Sequence, residues 1–190
     1  MITASALKEE MQAVVASPHI LETKKKLTYY DLQNGLPEGH YEIIDGEVKE
    51  VTPTGFLHGK WEGEIYSKLK EVLNDKGFLA VGEVGILISK EPLRIRGADV
   101  VFISKEKLDK EPEGILEIAP DLVIEIVSPA NTMSEMELKI RDYLKIGVEK
   151  IILIYPVEGN VTVYSHDGQV EFLTFEDEIE VFKDVKVKLG

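Results

Sequence analysis

The segment that most constrains the fold is residues 122–127, Leu-Val-Ile-Glu-Ile-Val, which is apolar at every position except Glu125. A strand that is apolar throughout is typical of a sheet covered on both faces, whereas a half-exposed strand alternates apolar and polar residues. The segment therefore predicts a central strand. Glu125 would then lie in a dry environment, where a carboxylate needs a cation, a metal ion or hydrogen bonds as its partner.

A second acidic residue, Asp99, interrupts another apolar segment, residues 98–103. If the two segments are neighbouring strands, their carboxylates repel each other unless a positive charge lies between them. Oxygen ligands suit Mg²⁺ or Mn²⁺, so the pair predicts a divalent cation site. The alternative is a structural ion-pair network, which also buries charged groups.

A helix is predicted over residues 134–146, with Met136, Ile140 and Tyr143 on its inward face and Gly147 after its end. Strands followed by a helix and another strand imply a crossover that packs back on the sheet. Lys139 lies at the border of the inward face, where its ammonium could reach the two carboxylates. A border lysine can equally extend into water.

The remaining pattern predicts one α/β (α+β) domain, residues 28–190, with a mixed central sheet flanked by helices, after an N-terminal helical extension, residues 1–27. The extension contains a helical pattern over residues 4–16. The other predicted elements are a Thr28-capped helix at 29–34, a hairpin of 41–44 and 47–51 around Asp45-Gly46, a helix at 57–76 closed by Gly77, and strands at 78–81, 84–88, 151–155, 161–165 and 170–175.

The amino-acid composition limits the kinds of functional site that the chain can form. The chain has no cysteine, which excludes disulfides and thiolate ligands, and it has no apolar run close to the roughly 20 residues of a membrane helix. We therefore expect a cytoplasmic protein without a membrane partner. The net charge of −13 argues against a broad basic surface for nucleic acid. A bound divalent cation would add positive charge that this count omits.

Three segments together resemble a bacterial restriction-endonuclease-like domain family, similar to the PD-(D/E)XK nuclease superfamily. They are the hairpin start Tyr-Glu-Ile-Ile-Asp-Gly-Glu at 41–47, Pro-Asp-Leu-Val-Ile-Glu-Ile-Val-Ser-Pro at 120–129, and Lys-Ile-Arg-Asp-Tyr-Leu-Lys-Ile-Gly-Val at 139–148. The resemblance implies a restriction-endonuclease-like core in which Asp99 is the first acid and Glu125 the second. The superfamily's lysine two residues after the second acid is Val127 here, and the family's helix lysine corresponds to Lys139. The family's proline before the first acid is Ala98.

The activity that the resemblance implies is Mg²⁺- or Mn²⁺-dependent hydrolysis of phosphodiester bonds in nucleic acid, with DNA as the expected substrate. Asp99, Glu125 and the Ile126 carbonyl would hold the metal, and Lys139 would orient the water or contact the phosphate. Tyr143, one helical turn further on, would steady Lys139.

Two further residues match family positions. Glu47 would be an additional acidic contributor, and His58 would serve mainly in packing at the start of its helix. No second histidine lies at zinc-ligand spacing from His58. A homodimer is expected because two-fold dimers are the commonest oligomers and double-strand cutting needs two sites.

Two other interpretations stay open at the level of sequence. One is a catalytically silent nucleic-acid-binding or protein-interaction module that retains the nuclease fold. The other is an acidic oligomerising protein whose buried charges are structural. The intact set of Asp99, Glu125 and Lys139 favours an enzyme, whereas the charge of −13 favours the two alternatives.

Overall fold

The computed structural model describes residues 26–35 and 39–190, so the predicted helix at 4–16 lies outside the described residues. The helices of the described part are α1 Tyr29–Gln33, α2 Phe56–Leu73 and α3 Met133–Ile146. Its strands are β1 Tyr41–Ile44, β2 Glu47–Glu50, β3 Gly77–Lys90, β4 Leu93–Ser104, β5 Leu122–Ile126, β6 Lys150–Tyr155, β7 Asn160–Ser165, β8 Val170–Thr174, β9 Ile179–Phe182 and β10 Val185–Val187.

A mixed sheet of eight strands forms the centre of the fold, in the order β2-β1-β4-β5-β6-β7-β8 with β3 paired along β4. Strand β5 is buried at all of its positions, between antiparallel β4 and parallel β6. Helix α2 packs Ile65 and Leu69 into one core cluster, and α3 packs Met136 and Ile140 into another. The predicted central strand in a mixed sheet with helices on both faces is therefore confirmed.

The N-terminal elements follow the local signals in the sequence. Thr28 caps α1 through a reciprocal capping box with Asp31. Asp45 and Gly46 both have positive φ, 53° and 82°, as a two-residue hairpin turn requires. Strand β1 then pairs with β4 through Ile43 and Ile95, which joins the hairpin to the sheet.

Gly77 differs from its prediction. Helix α2 ends at Leu73, and Gly77 instead begins β3 against β4. A Cβ at this position would lie 2.0 Å from the Ile103 carbonyl oxygen. The glycine is therefore required by close packing of two strands, a long-range cause that resembles a helix-end signal in the sequence.

Two further differences concern strands. The segments predicted at 78–81 and 84–88 belong to one strand, β3, whose pairing with β4 is interrupted by an irregularity between Val81 and Val84. The hairpin β9–β10 was not predicted, although Ile179 and Val181 alternate with acidic residues and are buried. Its Phe182 ring packs edge-on against Phe102, with 5.1 Å between ring centroids.

Among the helices of the described ranges, none combines the length and the apolarity needed to cross a membrane.

Candidate active site

Asp99 and Glu125 are brought together by the pairing of β4 with β5. Val100 lies opposite Ile124, so the next step along both strands places Asp99 beside Glu125. Both acids are buried. The Ile126 amide donates to Asp99 Oδ2 at 2.6 Å, which ties the first acid to the strand of the second. The Ile126 carbonyl as a metal ligand stays a prediction.

Lys139 reaches these acids from α3. Its ammonium donates to Glu125 Oε2 at 2.9 Å and to the Gly97 carbonyl at 2.9 Å. The side chain is only 17% exposed, so the alternative in which it extends into bulk water is wrong. The helix crosses back over the sheet and presents this lysine on the side of the acids, so the structure gathers the three predicted residues in one place. Their catalytic roles stay predictions.

The Tyr143 hydroxyl bonds at Glu125 and at the Gly97 carbonyl, the two groups that also accept from Lys139, and its expected role in steadying Lys139 stays a prediction. Its hydroxyl lies 2.6 Å from Glu125 Oε1 and 3.1 Å from the Gly97 carbonyl, and its single proton can go to one of them at a time. Burial, with the charge of Glu125, raises the pKa of Tyr143 well above its ordinary value. Tyr143 is therefore a neutral donor that fixes the second acid and shares both acceptors with Lys139.

His58 also departs from expectation, because it does more than pack at a helix start. Its Nε2 lies 3.2 Å from Asp99 Oδ1, and its side chain is 14% exposed. The hydrogen bond with Asp99 raises the pKa of His58, and burial opposes that rise. The first turn of α2 thus orients the first acid. The match to a family position was the only sequence signal for this contact.

Glu47 lies away from the site, so the expectation of an acidic contribution from this residue is wrong. Its side chain is 53% exposed and pairs with Lys26 at 3.6 Å and Lys49 at 3.8 Å. The physical reason is the position of its strand: β2 is the edge of the sheet, whereas β1 pairs with β4.

The hairpin glutamate that does reach the site is Glu42, on β1. Its Oε1 accepts from the Gly97 amide at 3.2 Å and lies 3.4 Å from the Lys139 ammonium, and its Oε2 accepts from Arg96 at 2.8 Å. Arg96 in turn donates to Asp142 of α3 at 2.7 Å. This network joins the hairpin, β4 and α3 around Lys139.

Glu83 is a further acidic residue that sequence reasoning missed. It lies at the irregularity of β3 with a φ of 54°, which is unusual for a residue other than glycine. Gly97 makes room for it, because a Cβ on Gly97 would lie 2.3 Å from Glu83 Oε2. The run Gly-Glu-Val-Gly at 82–85 was the available signal of an irregular strand.

Some of these groups line an open cavity of about 270 Å³. Glu83, Asp99, Glu125 and Lys139 line it, together with residues 51–55 and part of the loop between β5 and α3. A neighbouring cavity of about 360 Å³ shares Glu83, Asp99 and His58 with it. The acids therefore face space that a small polar group can enter.

The electrostatics of the cavity are dominated by negative charge. Burial raises the pKa of Glu125 to about 7, Asp99 adds to the rise, and Lys139 opposes it. Burial alone would lower the pKa of Lys139, but the charges of Glu125 and Glu42 outweigh burial and raise it overall. Lys139 thus stays positively charged at neutral pH, and a further cation would favour ionised Glu125.

The donor set suits a magnesium ion that keeps several water ligands better than it suits a metal ion bound by protein ligands alone. Among residues 26–35 and 39–190, no three histidine or acidic side chains are grouped so as to hold a metal by themselves. Mg²⁺ is usually bound by one or two carboxylates and completes its shell with water and substrate phosphate. Asp99 and Glu125 supply such a pair, so the residues present fit this ion.

Comparisons with known proteins agree with the geometry. The family model described as "Uma2: Putative restriction endonuclease" matches residues 27–189. A crystal structure of a putative nuclease belonging to DUF820 from Anabaena variabilis has a TM-score of 0.71 and 22% identity, and the match covers 86% of this chain and 95% of that chain. This likeness shows a shared fold. No curated protein matches the chain.

Proposed function

Because the chain belongs to the Uma2 family, described as putative restriction endonucleases, we propose that it is a Mg²⁺-dependent endonuclease that hydrolyses phosphodiester bonds of DNA. The observation that carries the proposal is the 2.9 Å contact between Lys139 and Glu125 beside Asp99 in an open cavity. It pairs a lysine with the second acid although Val127 occupies the lysine position of the related motif.

Asp99 and Glu125, with the Ile126 carbonyl, are the groups that would hold Mg²⁺ or Mn²⁺. When bound, such an ion supplies Lewis-acid stabilisation of the phosphoryl oxygens and lowers the pKa of a bound water. The protein orients both carboxylates beforehand: His58 and the Ile126 amide hold Asp99, and Tyr143 holds Glu125. Preorganised donors of this kind are effective because they need no rearrangement during the reaction.

Lys139 contributes a permanent positive charge to the cavity. Its ammonium can donate hydrogen bonds to a phosphate oxygen or to the attacking water, in addition to its bond with Glu125. The Glu42–Arg96 pair gives the ammonium a second anionic partner, since Glu42 Oε1 lies 3.4 Å from it. A lysine tied to Glu125 and Glu42 keeps its direction when substrate enters.

The negative net charge of the chain affects how a nucleic-acid substrate can be bound. With a net charge of −13, broad attraction to a phosphate backbone is weak. We therefore propose that DNA is bound mainly inside the cavity, by Lys139 and a metal ion. We also propose that the protein acts as a homodimer that cuts both strands, and that it does so in the cytoplasm.

Plasmid cleavage with Mg²⁺, with Mn²⁺ and with a chelator tests this function. We expect nicking and linearisation that need the metal and that disappear in Asp99→Asn and Glu125→Gln. Glu47→Gln is the matched control, because Glu47 is exposed and lies outside the cavity. Single-stranded DNA and RNA are assayed in parallel. Absence of cleavage of every substrate would contradict the proposal and favour a silent binding module that retains the fold.

A further inference from the structure

We propose that Glu83 is the general base of the reaction, accepting the proton of the water that attacks phosphorus. This inference rests on the proposed nuclease function and names a residue that the acid–acid–lysine motif does not include. It is carried by the geometry of the cavity, by the hydrogen bonds of the other acids, and by the backbone of Glu83 itself.

Three carboxylates line the cavity of about 270 Å³, and two of them are already engaged. Asp99 uses one oxygen for His58 and the other for the Ile126 amide. Glu125 uses one oxygen for Tyr143 and the other for Lys139. In the described ranges, Glu83 is the lining carboxylate that accepts no hydrogen bond, although Lys139 and His58 are close enough for their charges to act on it. A base needs such a free lone pair.

The other polar groups of the cavity are poorly suited to accept a proton. Lys139 is already protonated, because neighbouring carboxylates raise its pKa in spite of burial. His58 directs its Nε2 at Asp99. Glu42 does not line this cavity, and its carboxylate is occupied because it accepts from Arg96 and the Gly97 amide. Glu83 is therefore the group best suited to accept the proton, in agreement with the geometry of the cavity.

The backbone of Glu83 is held in the left-handed region at a φ of 54°. A residue with a side chain adopts this conformation at a cost, and such strain is concentrated at functional sites. The strand opposite accommodates the side chain by having Gly97, where a Cβ would lie 2.3 Å from Glu83 Oε2. Two local features thus combine to keep one carboxylate at the wall of the cavity.

The electrostatic surroundings agree with this role. Burial raises the pKa of Glu83, and the charges of Asp99 and Glu42 add to the rise against the opposing effect of Lys139. A carboxylate with a raised pKa is a more effective base near neutral pH than an ordinary one.

The water oxygen forms a bond to phosphorus while one of its protons passes to the Glu83 carboxylate. The ester P–O bond then breaks, and its electron pair leaves on the oxygen of the departing nucleoside. That oxygen takes a proton from bulk water, and Glu83 returns its proton to solvent before the next turnover.

Glu83→Gly and Glu83→Gln test the assignment in the full chain. Glycine relieves the left-handed backbone and leaves a carboxylate-sized space, and glutamine keeps the size but not the basicity. We expect either change to lower kcat by at least about 100-fold, the scale of general-base catalysis. We also expect little change in KM or in Mg²⁺ affinity measured by calorimetry, and a Tm of Glu83→Gly no lower than that of the wild type. Added formate should restore part of the Glu83→Gly rate.

Asp184→Gly is the matched control, because Asp184 also has positive φ, 66°, but lies in the exposed β9–β10 turn. It should keep the full rate. Wild-type-like kcat in Glu83→Gln would overturn the inference alone. So would weakened Mg²⁺ binding together with a rate that formate does not restore, since Glu83 would then be a metal ligand. An inactive wild type would instead overturn the proposed function, and the inference with it.

Discussion

Lys139 Nζ lies 2.9 Å from Glu125 Oε2, although the two residues belong to different elements and are 14 positions apart. The contact exists because β5 and β6 are parallel, so the chain must cross over the sheet between them, and α3 makes that crossover. A lysine on the inward border of the crossover helix therefore reaches the second acid from above the sheet. The pairing needs no lysine within β5 itself.

Lys139→Met should destabilise the metal-free protein, because it leaves Glu125 buried without its cation. Loss of one partner of a buried ion pair costs on the order of 3–5 kcal/mol. The folded pKa of Glu125 is already raised to about 7 and would rise further, so the cost should be large at pH 8 and small at pH 5, where Glu125 is protonated. Urea denaturation at both pH values measures it.

Lys145→Met, on the exposed side of the same helix, is the control and should have little effect at either pH. The double variant Lys139→Met/Glu125→Gln should recover most of the lost stability. Equal destabilisation of Lys139→Met at pH 5 and pH 8 would show that lost packing, not an uncompensated charge, is the cause.

Mg²⁺ binding should weaken as the pH falls. The proposed metal site needs ionised Glu125, whose pKa is raised to about 7 by burial, so protonation would compete with the metal below that pH. We expect affinity at pH 6 to be roughly tenfold lower than at pH 8. Calorimetric titration at several pH values checks this, with Glu125→Gln expected to bind weakly throughout. Affinity independent of pH in the wild type would remove Glu125 from the set of ligands.

His58→Ala should lower kcat by about tenfold, because Asp99 loses the side chain that orients it. His58→Gln should keep more activity, since its amide can still donate to Asp99 Oδ1. Cleavage rates and Tm of both variants measure the difference. If the two variants lose activity equally while their Tm values match that of the wild type, orientation of Asp99 by this hydrogen bond is unimportant.

The residues that could be predicted from the sequence are those whose environment is determined by their neighbours along the chain. Glu125 is conspicuous because every neighbour in its strand is apolar, and Asp45-Gly46 because its turn needs positive φ at both positions. The position of Lys139 could be predicted because a helix that connects two parallel strands packs back on their sheet. These signals describe the central strand, the hairpin and the side from which α3 approaches.

The rest depends on which elements become neighbours. Glu42 and Glu47 lie on adjacent strands of one hairpin, and only the order of the sheet decides that β1 is internal and β2 is the edge. Glu83 depends on a strand irregularity, and its space depends on Gly97 in the next strand. Long-range packing of this kind leaves no periodic pattern in one sequence, so Glu47 was suggested only by its match to a family position and no signal pointed to Glu42.

Gly97→Ala tests how the site depends on that packing. The Gly97 amide donates to Glu42, and its carbonyl accepts from Lys139. The added Cβ would lie 2.3 Å from Glu83 Oε2, the mobile end of a side chain, so Glu83 can move away at little cost to the fold. We expect a Tm within roughly 4 °C of the wild type, corresponding to a loss below about 1 kcal/mol, and a fall in kcat similar to that of Glu83→Gly.

Combining the two changes separates displacement of Glu83 from other effects of the methyl group. If Gly97→Ala acts only by moving the carboxylate, Gly97→Ala/Glu83→Gly should be no slower than Glu83→Gly, because coupled residues are not additive. An additive loss would mean that the methyl group also disturbs Glu42 or Lys139. Gly77→Ala is the contrasting control: its Cβ would meet the Ile103 carbonyl at 2.0 Å, and since backbone cannot move aside, we expect it to destabilise the whole domain.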